Sequence, residues 1–204
     1  MAFDRENPPS ITPVVGFLLA TNVIVYLLQT RTEAPIYALF GLWPLHDSDS
    51  FPPFQVWQVL TYGWLHGGGA HIFFNLFAVW MFGKTIELVW GSKRFLLYYL
   101  VCVVGAGLVQ LGVTSQMAAS TARIVGTVGA SGGVFGILLA FAVLFPNQKI
   151  LLLIPPVPIK AKFFVIGYGA LELYLGITQT NSGVAHFAHL GGMLFGYLLI
   201  LFWT

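Results

Sequence analysis

A serine and a histidine, each near the start of an apolar run, are the residues of this chain whose types and settings best suit chemistry. Ser131 lies between Gly129 and Gly132, and His189 precedes Gly192 by three residues. A serine hydroxyl becomes a good nucleophile when a base takes its proton, and an imidazole suits that role near neutral pH. The pair therefore predicts nucleophilic catalysis, with Ser131 as the nucleophile and His189 as the general base.

The composition predicts that this chemistry takes place in a membrane. The chain has 204 residues, of which 57% are hydrophobic and 8% are charged, and its mean hydropathy is +0.83. An ordinary soluble domain has about 25% charged residues. The lipid bilayer is therefore the expected surrounding. The net charge of +2 is small and scattered along the chain, which argues against a nucleic-acid partner.

Six apolar runs predict an all-α membrane protein with six transmembrane helices in a single domain over residues 1–204. Their approximate bounds are 11–29, 72–90, 95–115, 131–145, 163–179 and 185–203, and about 20 residues suffice to span a bilayer. No small-residue cleavage site follows the first run, so we expect it to be a retained span. Residues 30–70 carry several tryptophans and prolines and predict a long loop in the membrane interface. Residues 149–162 are expected to be a connector.

The basic residues predict an orientation. If the amino terminus is cytoplasmic, seven of the nine Lys and Arg residues lie on the cytoplasmic side, as the positive-inside rule requires. The seven are Arg5, Lys84, Lys93, Arg94, Lys149, Lys160 and Lys162, and the two on the outer side are Arg31 and Arg123. The expected location is the bacterial cytoplasmic membrane, with the amino terminus inside.

In that orientation the second, fourth and sixth spans begin at the outer side, and each has polar residues near that end. His71 and Asn75 are one turn apart on the second span, so they share a helix face. Acyl transfer needs donors aimed at the developing oxyanion, and these two side chains with the Ser131 backbone N–H could supply them. The fourth span has only about 15 residues and a length of about 22 Å, so Ser131 should lie below the membrane surface in a cavity that admits water.

Glycines spaced by four residues occur on the fourth and sixth spans. They are Gly132 and Gly136, and Gly192 and Gly196. Small residues at this spacing allow two helices to approach closely, which would bring Ser131 to His189. Helix packing without any catalytic purpose would explain the same glycines.

No acidic residue is expected beside the histidine, so the sequence predicts a Ser131–His189 dyad and not a triad. Glu172 is the acid nearest the middle of a span, the fifth. A neutral, hydrogen-bonded structural role suits it at least as well as a proton relay. Among the other acids, Asp4, Asp47 and Asp49 lie outside the spans, and Glu87 lies near the inner end of the second span.

Zinc-dependent hydrolysis is the competing chemistry, because four histidines could act as ligands: His66, His71, His186 and His189. The His-Glu-x-x-His pattern of metalloproteases is missing, and no carboxylate is expected at the same level of the bilayer. The paired aspartates of an intramembrane aspartyl protease are missing as well. We therefore expect neither a metal nor a cofactor, and we expect His186 to hold helices together.

At these positions the chain resembles the rhomboid family of intramembrane serine proteases. The shared motifs are Gly129-Ala130-Ser131-Gly132, Ala188-His189-Leu190-Gly191-Gly192, and the series His66, His71 and Asn75 followed by Glu87 and Gly91. They occur in the family's order over roughly residues 55–200. The resemblance implies a six-helix rhomboid-like bundle in which Ser131 is the nucleophile, His189 is the base, and His71 and Asn75 bind the oxyanion.

The resemblance also implies roles for the surroundings of the site. The loop 30–70 would be a flap-like element beside the site, and Glu87 would brace that loop. The chain departs from the family at two positions. Gln58 follows Trp57 where the family commonly has Arg, so the loop loses a charged anchor. Phe135 stands where some members have Tyr, and an apolar ring can still pack beneath the histidine.

The sequence thus predicts a cofactor-free serine endopeptidase that cleaves a peptide bond in or near the transmembrane segment of another membrane protein. A helix-destabilised segment is the expected substrate, because an intact helix hides its backbone carbonyls. One alternative is a catalytically inactive, rhomboid-like adaptor that binds transmembrane helices, although the retained Ser131 and His189 argue against it. Another is a small transporter with Glu172 as its coupling residue, which the absence of an internal repeat disfavours.

Overall fold

The structure is a computed structural model that describes residues 9–32, 34–46, 48–152, 156–179 and 184–204. Its elements follow the apolar runs of the sequence. The helices are α1 (Pro13–Thr32), α2 (Ala34–Phe40), α3 (Gln58–Thr61), α4 (Gly69–Ala78), α5 (Lys84–Trp90), α6 (Ser92–Thr121), α7 (Ser131–Leu144), α8 (Ala161–Thr178) and α9 (His186–Trp203). A 3₁₀ turn, Tyr62–Trp64, follows α3, and a π-helical turn, Val79–Gly83, joins α4 to α5.

The fold is the all-α membrane bundle that the sequence predicts. Within the described residues, five helical segments are long and apolar enough to cross a membrane: α1, the continuous segment Gly69–Trp90, α6, α8 and α9. The remaining apolar helix, α7, has 14 residues, which corresponds to a length of about 21 Å. A helix this short reaches only part of the way across a hydrocarbon core of about 30 Å, so one of its ends lies inside the bundle.

Helix α7 forms the centre of the bundle. Ten of its 14 residues are buried, and it packs against α6, α8, α9 and the segment Gly69–Trp90. Its apolar sequence contains no charged residue, and it ends at Leu144, two residues before Pro146. Proline cannot continue a helix because it lacks the N–H group. The start of α7, at Ser131, is therefore held in the middle of the protein by helices on all sides.

The connector between α7 and α8 contains a short hairpin in place of unstructured chain. Strands β1 (Lys149–Leu151) and β2 (Pro158–Lys160) pair antiparallel, with Ile150 opposite Ile159. Ile150 is buried and belongs to the hydrophobic core. The three-residue strands are too short to give a hydrophobic periodicity, which is why the sequence predicted only a connector here.

Glu87 connects the first and second spans at one end of the bundle. Its carboxylate accepts hydrogen bonds from the backbone N–H groups of Val14 (2.9 Å) and Val15 (3.0 Å), and from the hydroxyls of Thr12 (2.5 Å) and Ser92 (2.6 Å). It thus satisfies donors in the first turn of α1, which have no acceptor within their own helix. The expectation that Glu87 braces the loop 30–70 is wrong for the described residues, because these partners lie at the start of α1 and of α6.

The loop 30–70 is tied down by neutral hydrogen bonds. The fully buried amide of Gln58 accepts from the backbone N–H of Trp43 (3.3 Å) and donates to the carbonyl of Leu39 (3.4 Å). Tyr37 donates to the carbonyl of Gly126 (3.1 Å), and Leu42 forms an isolated β-bridge with Thr127. Gln58 therefore anchors the loop without the charge that arginine would supply. Asp47, in the same loop, lies outside the described residues.

Candidate active site

Ser131 is the first residue of α7, and the turn that precedes it depends on glycine. Gly129 has φ +135°, a conformation that residues with a side chain rarely adopt. A Cβ atom at this position would also lie 2.8 Å from Cε1 of His71. Because Ser131 begins the helix, its backbone N–H has no acceptor within the helix. The turn thus presents the hydroxyl and a backbone donor at the same helix end.

His189 lies on the first turn of α9 and contacts the serine directly. Its Nε2 atom is 2.8 Å from Ser131 Oγ. The approach of α7 to α9 has little room for side chains, because a Cβ atom on Gly192 would collide with the backbone of Gly132. The two predicted partners, 58 residues apart in the chain, are therefore within hydrogen-bonding distance.

The other two glycines of the predicted packing motif, Gly136 and Gly196, lie close to α6. A Cβ atom on Gly136 would collide with Cys102 of α6 and would lie 3.4 Å from the Gly192 carbonyl oxygen of α9. A Cβ atom on Gly196 would collide with Tyr98 and Cys102, both on α6. The atoms nearest to a Cβ on Gly196 therefore belong to α6, and the packing of Gly196 against the fourth span stays a prediction.

The Phe135 ring packs on the imidazole of His189. The two rings are nearly parallel, with 5° between their planes and 4.2 Å between their centroids. Phe135 lies one turn after Ser131 on α7, so the helix that carries the hydroxyl also carries the ring that fixes the orientation of the imidazole. This stacking leaves both ring nitrogens of His189 at the ring edge, where they can form hydrogen bonds.

An acidic residue lies beside the histidine, contrary to the expectation of an isolated dyad. Glu172 Oε2, on α8, is 2.8 Å from His189 Nδ1 and 2.7 Å from His186 Nδ1. All three side chains are buried. One signal in the sequence pointed to this residue, namely a carboxylate within an apolar span. The spacing does not reveal which face of α8 meets α9, because a connector separates the two helices.

The hydrogen bonds assign the protons of His189. A carboxylate only accepts, so His189 Nδ1 carries a proton and donates it to Glu172. In a neutral imidazole the other nitrogen is then an acceptor, and Nε2 accepts the hydroxyl proton of Ser131. This is the tautomer in which a histidine can remove the proton from a serine.

His71 has the opposite assignment. Its Nδ1 atom accepts the backbone N–H of Gly67 at 3.2 Å, so a neutral ring carries its proton on Nε2. That nitrogen faces the turn before Ser131, because Nε2 is 2.9 Å from the position of a Cβ atom on Gly129. The structure therefore directs an imidazole N–H toward the region of the serine hydroxyl.

Asn75 lies one turn after His71 and is buried. Its Nδ2 group donates one hydrogen bond to the His71 carbonyl at 2.9 Å, and an amide nitrogen has a second hydrogen to donate. His66, at the end of the loop, stands on the other side of His71, with 5.2 Å between the ring centroids. Burial, together with the neighbouring His71, lowers the pKa of His66 to about 4.

A cavity of about 1140 Å³ joins these groups. Its wall includes His71, Asn75, Ser131, Phe135 and His189. The rest of the wall comes from the second span, from α6 and the segment that follows it, and from α8, and it includes apolar side chains such as Phe74, Met117 and Phe164 as well as polar ones such as Gln110 and Arg123. A serine hydroxyl, an imidazole acceptor and hydrogen-bond donors thus lie together at the wall of one cavity.

The same residues offer the donor set of a metal site. The ligand atoms of Glu172, His186 and His189 all lie within 4.8 Å of one another. The sequence-based argument against zinc assumed that no carboxylate lies at this level, and Glu172 contradicts that assumption. The two imidazole N–H groups already satisfy the carboxylate, and a metal ion would have to replace both protons.

Comparison with known proteins identifies the class. Residues 53–204 match the Rhomboid domain. The chain belongs to the rhomboid family, as its motifs indicated.

The relatives that the chain matches include proteins named as rhomboid proteases. Rhomboid protease GluP of Bacillus subtilis (strain 168) is 33% identical over 142 residues, which are 69% of this chain and 25% of that protein. Rhomboid protein 1, mitochondrial, of Saccharomyces cerevisiae is 30% identical over 79% of this chain and 49% of its own length. Rhomboid protease AarA of Providencia stuartii is 25% identical over 96% of this chain and 78% of its own length. The chain spans about a quarter of the first relative and about half of the second.

Proposed function

We propose that this chain is an intramembrane serine endopeptidase in which Ser131 is the nucleophile and His189 is the general base. The observation that carries the proposal is the 2.8 Å contact between Ser131 Oγ and His189 Nε2 at the wall of the cavity. The protonation pattern of His189 supports it, because Nε2 is the acceptor. Relatives named as rhomboid proteases support the same reaction class.

His71 and Asn75 are proposed to stabilise the oxyanion, together with the Ser131 backbone N–H. His71 directs Nε2–H toward the turn before Ser131, and Asn75 has an amide hydrogen beyond the one it gives to the His71 carbonyl. Hydrogen-bond donors that are already in position before the reaction stabilise an oxyanion more strongly in a buried site than in water. The side chains and the backbone supply every group that acyl transfer needs, so we propose no cofactor and no metal.

The proposed substrate is the transmembrane segment of another membrane protein. The cavity has apolar side chains of the second span and of α8 in its wall, among them Phe74, Phe77 and Phe164, which suits a segment that arrives from lipid. A substrate helix must unwind locally before Ser131 can reach a carbonyl carbon, because its backbone groups are otherwise hydrogen-bonded within the helix. Segments with glycine or proline near the cleaved bond should therefore be preferred.

We also propose that residues 1–204 form one domain in a bacterial cytoplasmic membrane, with a cytoplasmic amino terminus. The distribution of Lys and Arg supports the orientation. In this orientation the Ser131 end of α7 faces the outer half of the bilayer, and product is released toward the outer side.

Reconstitution in liposomes tests the proposal. The purified protein is mixed with a single-span substrate whose transmembrane segment contains a Gly-Pro pair, and products are identified by mass spectrometry. We expect cleavage within or next to the span, and none with Ser131→Ala. A protein that binds the substrate tightly but leaves it intact, equally with serine or alanine at 131, would favour the adaptor alternative over the protease.

A further inference from the structure

Glu172 is a buried carboxylate within the fifth membrane span, and its exposed fraction is 4%. An ionisable group at such a position is costly and points to a function. The groups around it show how the cost is offset. Its Oε2 atom is 2.7 Å from His186 Nδ1 and 2.8 Å from His189 Nδ1.

Both contacts are charge-assisted hydrogen bonds if the carboxylate is ionised. An ionised carboxylate only accepts, so each imidazole donates from Nδ1. His189 then has Nε2 free of a proton and 2.8 Å from the Ser131 hydroxyl. Glu172 thus contacts one nitrogen of the His189 ring, and the Ser131 hydroxyl contacts the other.

We propose that Glu172 is the positioning residue for His189, so that Ser131, His189 and Glu172 act as a triad in which His186 fixes the carboxylate through a second hydrogen bond. The inference rests on the proposed function, because it assigns a partner to the general base of that reaction. A histidine held by an acid keeps the tautomer and orientation that proton removal requires.

The proton balance gives the carboxylate a second task. As Ser131 Oγ bonds to the substrate carbonyl carbon, its proton moves to His189 Nε2 and the carbonyl π electrons move to the oxygen. The imidazole becomes a cation beside the Glu172 anion, which stays ionised. When the C–N bond breaks, the same proton passes to the leaving amine. The Glu172 carboxylate, 2.8 Å from His189 Nδ1, stabilises the positive charge of the imidazolium at a buried position where water does not solvate it.

The main test is Glu172→Gln, measured in the liposome cleavage assay. Glutamine keeps the size of the side chain but can turn its NH₂ group toward His189 Nδ1, which would move the ring proton to Nε2. The matched loss in a soluble serine protease is about 10⁴-fold. We expect kcat to fall by about 10²- to 10⁴-fold with little change in KM, and Glu172→Asp, which keeps the charge, to retain more activity than Glu172→Gln.

The matched control is Glu87→Gln, which neutralises another buried carboxylate. Glu87 holds the start of α1 and not the imidazole, so this variant should lower the melting temperature without a selective loss of kcat in the folded protein. If both variants lose stability and activity in parallel, Glu172 has only a structural role and the inference is overturned.

The pH profile separates positioning from mere packing. The pH profile of kcat/KM should differ between the wild type and Glu172→Gln on its acidic limb, because Glu172 contacts the imidazole that takes the serine proton. The other titratable groups that face this cluster are His71 of α4, Tyr168 of α8 and His186 of α9, and the substitution leaves them in place. An unchanged acidic limb would contradict the inference.

Two further measurements keep the inference falsifiable even if the glutamine variant does not fold. Nitrogen-15 spectra of labelled histidine in the wild-type protein should show His189 protonated at Nδ1, and a proton on Nε2 would overturn the assignment. A chelator should leave activity intact, whereas full loss with EDTA and recovery with Zn²⁺ would assign the Glu172 cluster to a metal.

A fluorophosphonate probe distinguishes failure of the inference from failure of the proposed function. If the wild-type protein reacts at Ser131 and Glu172→Gln reacts equally fast at every pH, only the triad is wrong. If the wild-type protein neither reacts nor cleaves substrate, the protease assignment itself is wrong.

Discussion

At the scale of single residues, the site is defined by where two imidazole rings carry their protons. His189 donates from Nδ1 and accepts at Nε2, whereas His71 accepts at Nδ1 from the Gly67 backbone and donates from Nε2. One ring is thereby prepared to remove a proton and the other to donate a hydrogen bond. Both roles follow from fixed partners within the protein.

Ser131 and His189 should behave as one unit. Ser131→Ala, His189→Ala and the double variant should each lose nearly the same turnover, because removing either partner disables the nucleophile. Cleavage rates in liposomes measure this, with circular dichroism to show that all three proteins are folded. A double variant far slower than either single variant would contradict a shared function.

Loss of an oxyanion donor should slow turnover without preventing folding. Removal of one such donor typically costs about 10²- to 10³-fold in kcat, so we expect losses of this size for Asn75→Ala and His71→Ala. Asn22→Ala is the matched control, because Asn22 is also buried and also donates to the carbonyl four residues earlier, but on α1. Equal rates for Asn75→Ala and Asn22→Ala would leave Asn75 with a packing role alone.

Residue types and spacing were enough to single out Ser131 and His189, because a hydroxyl and an imidazole stand out in apolar spans. They were not enough to find the contacts of Glu172. Which face of α8 meets α9 depends on how the two helices pack together, and no local sequence pattern specifies this packing. Glu87 shows the same limit, since three of its partners lie 72 to 75 residues away at the start of α1.

At the scale of elements, glycines set the distances between α6, α7 and α9. Gly132 and Gly192 bring α7 and α9 together, while Gly136 and Gly196 admit side chains of α6. The four-residue spacing of these glycines correctly predicted that helices pack closely here. It could not specify the partner, because a small residue allows approach by any neighbouring helix.

Gly136→Val should reduce activity before the fold is lost. A branched side chain here would collide with Cys102, and overpacking typically costs about 1–3 kcal/mol. A displacement of about 1 Å between reacting groups can cost about 100-fold in rate. Gly167→Val is the control, because a Cβ atom there meets nothing within 4 Å. Equal activity and equal melting temperatures in the two variants would contradict the packing role of Gly136.

The end of the loop should make stability depend on pH through His66. Burial and the neighbouring His71 lower the pKa of His66 to about 4 from its ordinary 6.5, so the folded protein holds the ring neutral. Its contribution to stability is present above pH 6.5 and is lost as pH falls toward 4, by up to about 3 kcal/mol at 1.36 kcal/mol per pKa unit. The melting temperature of the wild type should therefore fall relative to that of His66→Phe as pH decreases from 6.5 toward 4, and parallel curves would contradict this.

At the scale of the whole molecule, the bundle exposes large apolar side chains along its helices, while Asn75, Glu172 and His189 of the candidate site are buried. Large hydrophobic residues are exposed along α1, α8 and α9, and in the loop Val56 and Trp57 are exposed as well. Such a surface needs a bilayer around it. Composition alone predicted this division, because it depends on how many apolar residues there are and not on which helices touch.

Cysteine labelling tests the proposed orientation. Ser50→Cys should react with an impermeant maleimide added outside intact bacteria, and Lys160→Cys should react only after the membrane is opened, since most basic residues mark the inner side. The unaltered protein is the control, because its single cysteine, Cys102, is buried. The reverse pattern would place Ser131 toward the cytoplasm.

The central claim is that Ser131 is an activated nucleophile, and reaction with a fluorophosphonate probe measures this most directly. The purified protein in detergent is treated with the probe, digested and analysed by mass spectrometry. The account predicts a single adduct on the peptide that contains Ser131, formed slowly in His189→Ala and not at all in Ser131→Ala. A wild-type protein that forms no adduct, or forms it equally well without Ser131, would contradict the account.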